Sequence, residues 1–331
     1  MSYLNKWYIY QKERFPVLIY GLYVFCIVFA VFCYTSYICN NMVETQQENL
    51  KQYIYKSEEI TNFGDTEIYK IKYGTLIPMF LVTFLQFLMV RIVDEFKDYE
   101  EDCKYRPYRP VPRGLISLKE LKILFVICVV LQFFITLLSN PDGLIYLFLI
   151  WIIFAIMSKG FFIKNTLDKH ILLEVLLDEI IIPVMVLFLS TFLFKDFLKF
   201  VGDNSTVSYN GIFINFKSLI PILLISYLIS WIVEIARKIR CKEDEENGVK
   251  TYTAIFGIKK AILLLWGLEI VLMVINIILF KNIYFYAILL GIVSIINILF
   301  MIKQNKTLAK TTEISANVYI ILTYLSMIVL I

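Results

Sequence analysis

Nine stretches of this chain are mainly apolar, at about 17–39, 75–93, 123–139, 144–157, 172–194, 219–233, 261–280, 283–302 and 315–331. Crossing a bilayer as a helix takes roughly 17–25 such residues, and most of these runs reach that length. Backbone N–H and C=O groups find no water inside a bilayer, so a segment there must satisfy them internally as a helix. The runs therefore predict an all-α polytopic membrane bundle of about nine transmembrane helices. The whole chain, 1–331, reads as a single integral-membrane domain with no internal repeat. Composition agrees, with 59% hydrophobic and 18% charged residues, against about 45–50% and about 25% in soluble domains. That balance argues against soluble enzyme folds, and no nucleic-acid partner is expected. The first run is long enough to span and lacks a small-residue cleavage site, so it reads as a membrane helix and not a cleaved signal.

Lysine and arginine set the orientation, because they accumulate on the cytoplasmic side. With the N-terminus cytoplasmic and the C-terminus on the outer side, 24 of the 32 basic residues fall inside. The net charge of +4 then follows from topology. A lone histidine, His170, cannot build an imidazole metal site, and six cysteines without a CxxC pair read as small buried hydrophobes. Two polar outer loops are longer than the rest, 40–72 and 195–217. The first suits a short surface helix, and the second carries an Asn204-Ser205-Thr206 sequon.

Charge concentrates after the second run, in Asp94-Glu95-Phe96-Lys97-Asp98-Tyr99-Glu100-Glu101-Asp102. Asp94, Asp98 and Asp102 repeat every four residues, which stacks carboxylates along a helix face. Like charges so placed repel unless a cation sits between them, and oxygen-only ligands suit magnesium. The same run also fits a solvated acidic face at a membrane exit. Lys104, Arg106, Arg109 and Arg113 follow at once, in a stretch that Pro107, Pro110 and Pro112 keep out of helix. Carboxylates for magnesium beside guanidinium forks form a diphosphate site, although positive-inside anchoring explains one or two of the arginines. A second cytoplasmic cluster runs from Glu234 through Arg237, Lys238, Arg240, Glu243, Asp244, Glu245 and Glu246 to Gly248 and Thr251. Two acidic patches on one face could hold two magnesium ions around one diphosphate. Glu174, Asp178 and Glu179 sit where the fifth run begins, at the interface or closing the chamber, and Glu269 lies midway along the seventh.

These motifs resemble the UbiA-type intramembrane prenyltransferases. Residues 94–102 are similar to the family's NDxxDxxxD, with Asp94 and Glu95 in place of the leading Asn and Asp and with Asp98 and Asp102 matching directly. Arg109-Pro110-Val111-Pro112-Arg113-Gly114-Leu115-Ile116-Ser117 resembles its RPLPxGxIS continuation, and residues 248–257 its GxxTxxxxxG. The second aspartate-rich region departs from the pattern: Asp244 matches, but Arg237 and Arg240 stand where acids are usual, and Glu234, Glu243 and Glu246 are left to fill the gap. The resemblance implies Mg2+-dependent transfer of a prenyl group from an allylic prenyl diphosphate to a lipophilic acceptor among membrane lipids. It implies metal ligands among Asp94, Asp98, Asp102, Glu234 and Asp244, with Asp98, Asp102 and Asp244 essential to catalysis. Lys104, Arg106, Arg109, Arg113, Arg237 and Lys238 become the diphosphate contacts, within motif loops at about 94–117 and 234–257. Two alternatives share some of these features: a same-fold transferase with a phosphorylated sugar diphosphate donor and a polyprenyl phosphate acceptor, and a divalent-cation permease.

Overall fold

Every one of the nine apolar runs is helical in the computed structural model, which describes residues 3–57, 73–167, 169–203 and 216–330. A short helix, α1 (Tyr3–Arg14), precedes α2 (Val17–Ser57) and α3 (Leu76–Lys97). Next come α4 (Tyr99–Tyr105), α5 (Leu118–Ser139), α6 (Leu144–Met157), α7 (Lys164–Leu167), α8 (Ile171–Asp178) and α9 (Ile181–Asp203). The chain ends with α10 (Phe216–Arg237), α11 (Tyr252–Phe256), α12 (Ile258–Phe280), α13 (Ile283–Lys303) and α14 (Lys306–Leu330). Among the described residues, six helices are long and apolar enough to cross a membrane: α2, α3, α5, α10, α12 and α13. The expected nine transmembrane helices are therefore not all established: the runs are helical, and length and composition establish six crossings among the described residues. The apolar helix ending at Met157 belongs to a shorter class.

Two boundaries differ from the sequence reading. α2 does not stop at the end of its apolar run but continues to Ser57. At 1.5 Å per residue its 41 residues measure about 60 Å, twice a bilayer core. The fifth run is two helices, α8 and α9, broken at Glu179–Ile180. Pro183 explains the break: it has no N–H to donate and its ring crowds the carbonyl four residues earlier, that of Glu179. The Asn204 sequon and residues 58–72 lie outside the described residues.

The long helices close into a ring in chain order, α2–α3–α5–α6–α9–α10–α12–α13–α14, with α14 packing back on α2. α2 also meets α9, and α10 meets α14, across the middle. The helices are apolar outward: Leu18 is 88% exposed and Leu138 is 84% exposed. Polar side chains point inward, Gln86, Gln132, Thr136 and Asn297 being fully buried. A soluble protein reverses this pattern, and only lipid makes it stable. Local signals set the ends near the motif loops. Ser117 and Glu120 form a reciprocal capping box at the start of α5, satisfying two otherwise orphaned donors. Thr251 caps α11 by accepting from the Ala254 N–H.

Both motif loops lie at one end of this ring, as the positive-inside count requires. Cys103 is the exposed one of six cysteines, and Lys242 and Asp142 are exposed at loops that the fold sends to opposite ends. In intact cells a membrane-impermeant maleimide is expected to label Asp142→Cys (on a Cys103→Ser background). Cys103 and Lys242→Cys should react only after permeabilisation. Labelling of Cys103 and Lys242→Cys from different sides would be incompatible with this bundle.

Candidate active site

The first motif begins inside the last turns of α3 and continues through a kink. Asp98, at φ −96° and ψ 1°, ends α3 and starts α4. Its N–H still bonds the Asp94 carbonyl at 2.9 Å, so the chain bends without releasing its hydrogen bonds. Glu100, Glu101 and Asp102 fill the first turn of α4, where the helix dipole favours acids. α4 stops at Arg106 because the residue before Pro107 is pushed out of the helical region, to φ −135°.

Four acids of the motif face two ways. Seven residues nearly complete two helical turns, whereas eight overshoot them by about 80°. Asp102 therefore groups with Glu95 and not with Asp94 and Asp98, as the four-residue repeat suggested. Glu95 and Asp102 are buried and taken up by arginines. Glu95 pairs with Arg14 of α1 and with Arg91 at 3.1 Å. Asp102 accepts from Arg109 at 2.6 Å and from Arg106 at 3.2 Å, with Arg14 at 4.0 Å. Asp94 and Asp98 point the other way. Asp94 meets Arg91 at 3.4 Å with its side chain one-third exposed. Half-buried Asp98 makes no side-chain hydrogen bond or ion pair among the described residues.

A chamber opens on this second face. Lys97 reaches across to α8, bonding Glu174 at 3.0 Å and Asp178 at 2.5 Å. Glu179, at the α8–α9 break, feels the charges of Glu234, Asp178 and Arg237, and burial together with those acids raises its carboxyl well above the usual range. Glu234 ends the apolar part of α10 and holds Arg237 at 2.5 Å and Lys238 at 2.8 Å. Arg237 in turn interacts with Asp94 and with Tyr20 of α2, and Lys238 with Glu174. Asp94, Asp98, Glu174, Asp178, Glu179 and Glu234 thus surround three cations, Lys97, Arg237 and Lys238. The excess of carboxylates attracts a cation.

The second motif loop has a different task. Glu245 accepts from the Thr251 and Thr253 hydroxyls at 2.7 and 2.6 Å. Glu246 binds Arg106 at 3.3 Å and the Tyr108 hydroxyl at 2.7 Å, locking this loop to the first. That contact pushes the Tyr108 phenol above its ordinary range, after burial, which contributes more. Gly248 lies flat on the Tyr105 ring at φ +82°, a conformation and a proximity that glycine alone tolerates. Asp244 is partly exposed and bonds Lys306 of α14 at 2.7 Å, which holds its carboxyl below the usual range. Lys104 lies over the Tyr105 ring at 4.8 Å, and Arg113 bonds Glu13 at 2.9 Å.

The residues expected from sequence therefore divide. Asp94, Asp98, Glu234, Arg237 and Lys238 line one chamber. Asp102, Arg106 and Arg109 form a buried ionic knot beside it, and Asp244, Lys104 and Arg113 lie outside. Sequence reasoning missed Arg14, counted only toward topology, and Lys97, whose place inside the acid run was the available signal. No three carboxylate, histidine or cysteine side chains among the described residues converge to hold a metal alone. The Asp94–Asp98 pair still fits magnesium, which is usually bound by one or two carboxylates plus substrate phosphates and water. Asp98, with no side-chain hydrogen bond or ion pair among the described residues, has its oxygens available. Between α2 and α14 a groove of about 380 Å³, lined by Leu18, Ile19, Leu22, Tyr23, Asn317 and Ile321, faces the lipid side.

The architecture is thus a ring of membrane helices with two joined charged loops at one end. The sequence profile of the UbiA prenyltransferase family matches residues 69–321, and the chain belongs to that family. It is an integral membrane protein and a prenyltransferase by class. Its fold is similar to that of a structure solved in work on digeranylgeranylglyceryl phosphate synthase in membranes. That match has a TM-score of 0.51 and 18% identity, and it covers 95% of this chain and 98% of the other. An apo UbiA homolog from Aeropyrum pernix K1 gives a TM-score of 0.50 at 14% identity, over 90% and 97% of the two chains. No curated protein matches in sequence.

Arg14 lies outside the matched region yet reaches the motif. Arg14→Ala should leave Glu95 short of a buried partner and cost about 1–3 kcal/mol, because Arg91 remains; the thermal midpoint in detergent measures this. Gly248→Ala would set a Cβ 2.1 Å from the Tyr105 ring. It is expected to part the two loops and lower the midpoint, and Tyr105→Ala in the same chain should restore part of the loss.

Proposed function

We propose that this protein transfers a prenyl group from an allylic prenyl diphosphate to a lipophilic acceptor, within the membrane and with Mg2+. The observation that carries this reading is one charged end of an apolar ring holding Asp94, Asp98 (with no side-chain partner among the described residues) and, on α10, Arg237 and Lys238 held by Glu234. A substrate matching both environments has a diphosphate head and a hydrocarbon tail. The groove between α2 and α14 supports access for such a chain from lipid.

In the reaction the bond between C1 of the prenyl chain and the bridging diphosphate oxygen breaks heterolytically, and both electrons go to that oxygen. The allylic cation accepts an electron pair from the acceptor, which loses a proton, so that inorganic diphosphate and the prenylated acceptor result. Mg2+ held by Asp94 and Asp98 would neutralise charge on the leaving oxygens, as Lewis-acid catalysis requires. Arg237 and Lys238 bind the same head by charge-assisted hydrogen bonds. Asp102 acts at one remove: by clamping Arg106 and Arg109 it fixes the basic loop, and preorganised charge is what stabilises a developing anion. Lys104 and Arg113, at the outer side of that loop, would meet the diphosphate before it reaches the chamber. Asp244 with Lys306 fixes the second loop against α14. The motif loops belong on the cytoplasmic face, where the basic residues accumulate.

Asp98→Asn removes a charge without changing shape. It should reduce Mg2+-dependent diphosphate release from prenyl diphosphates by at least a hundredfold, with the melting temperature held within a few degrees. Asp102→Asn should lower both activity and stability, because it frees buried guanidiniums. Undiminished turnover in Asp98→Asn would return the acid run to the solvated-face reading. Product formation from a sugar diphosphate, with none from prenyl diphosphates, would favour the alternative donor.

A further inference from the structure

We propose that α1 is a surface clamp: it lies in the plane of the leaflet at the motif-loop end, seated on anionic phospholipid, and through Arg14 it holds the buried ionic knot. The contacts fix how α1 runs. Lys6 pairs with Glu120 in the first turn of α5, and Arg14 pairs with Glu95 in the last turns of α3. Eight residues of helix separate the two pairs, about 12 Å, which matches the roughly 8–10 Å between neighbouring helix axes. α1 therefore crosses from α5 to α3, transverse to both. Its depth follows from the apolar cluster beneath it. There Tyr10 and the partly buried Trp7 join Leu88 and Ile92 of α3 and Leu121 and Phe125 of α5. Leu88 and Ile92 lie nine and five residues inside the span that ends at Lys97. Leu121 and Phe125 lie three and seven residues inside the span that starts at Leu118. At 1.5 Å per residue these depths are about 5–13 Å. A helix lying in a membrane interface is buried about 5–10 Å into the boundary of headgroups and acyl chains.

The side of α1 turned away from the bundle has the composition for such a seat. Lys6, Tyr10, Glu13 and Arg14 face the protein, Glu13 bonding Arg113 at 2.9 Å. Leu4, Tyr8 and Lys12 repeat every four residues and share the opposite side. Leu4 is 80% exposed and Tyr8 63% exposed, and Lys12 is exposed too. Leucine suits acyl chains, tyrosine suits the headgroup boundary, and lysine runs its stem over apolar surface to reach a phosphate. The turn of α5 that holds Leu121 also carries Ile123, 61% exposed, so this surface continues into the lipid-facing flank of the bundle. Lys119 and Lys122, exposed in the first turns of α5, stand beside the Glu120 that docks Lys6. Clustered lysines at this level favour an anionic leaflet over a zwitterionic one. Arg14 ends α1, on Glu95 and 4.0 Å from Asp102. What holds α1 therefore holds the arginine that joins the two carboxylates.

The test uses the full-length protein on a Cys103→Ser background, with a nitroxide at Tyr8→Cys, in phosphatidylcholine vesicles with or without phosphatidylglycerol. Collision with oxygen and with a nickel chelate, read by electron paramagnetic resonance, should put this label in lipid, as for a label at Ile123→Cys. A label at Lys242→Cys gives the aqueous reference. Phosphatidylglycerol should raise the thermal midpoint of the unlabelled protein by several degrees. Leu4→Ser/Lys12→Gln should lose at least half of that rise. Arg14→Ala should lose it as well, while the label at residue 8 stays at its depth. A Tyr8→Cys label as open to the nickel chelate as one at Lys242→Cys would overturn the lipid seat and leave this face to a soluble partner. A seated label, with phosphatidylglycerol raising the midpoint equally in all three proteins, would overturn the clamp.

Discussion

The buried knot of Glu95, Asp102, Arg14, Arg91, Arg106 and Arg109 organises everything around it. Charges this deep are tolerated only when paired and hydrogen-bonded, so each fixes the others' positions. Arg14 brings α1 against the end of α3. Asp102 draws Arg106 and Arg109 back over α4, which winds the proline-rich stretch into a defined loop. Tyr10 of α1 packs with Val111, Ile116 and Leu121 beneath it. Because these carboxylates are spent, Asp94 and Asp98 are the acids of α3 and its end left facing the chamber. The division between structural and available carboxylates is a consequence of helical geometry applied to a run of like charges.

Joining the two loops depends on the same economy of partners. Glu246 answers Arg106 and Tyr108, and Gly248 admits the Tyr105 ring, so the second loop is docked on the first by groups from α4 and its exit. Loops at the end of a membrane bundle have little apolar surface to hold them. Charge-assisted hydrogen bonds and one close glycine contact supply what packing does not. With the loops fixed, the last turns of α3 and α10 bring Asp94 and Glu234 within reach of each other's charge.

The helices, the two loops and the family were all legible in the sequence, because apolar runs and motif spacing report directly on them. The division of labour inside the motif was not. Asp94, Asp98 and Asp102 look equivalent at four-residue intervals, but the kink at Asp98 and the seven-residue register of Glu95 with Asp102 separate them. Asp244 matched the family pattern in sequence, yet its partner, Lys306, lies sixty-two residues on and was visible only in three dimensions. Pro183 carried a readable signal for the break at Glu179. The apolar run around it hid that signal, since a proline near a membrane helix's start is ordinarily harmless.

Lipid offers no preference between one apolar helix face and another, so the ring needs other means to set its register. Buried polar pairs provide them at several of the interfaces. Thr35 meets Ser190 between α2 and α9, Asn140 meets Thr191 between the end of α5 and α9, and the Trp151 indole donates to Gln132 between α6 and α5. In the other half Asn297 of α13 donates to Glu269 of α12 at 2.9 Å, and Tyr319 of α14 donates to the Glu269 carbonyl at 3.0 Å. Tyr23 of α2 donates to Asn317 of α14 at 3.0 Å, beside the groove. Each such pair is worth about 0.6 kcal/mol on average in a membrane protein. Their value lies in direction, because sliding a helix by one residue would strand a polar group in hydrocarbon. A chamber built from the last turns of α3, α8 and α10 inherits its geometry from that register. The polar pairs far from the charged loops therefore help to set how Asp94 and Arg237 stand relative to each other.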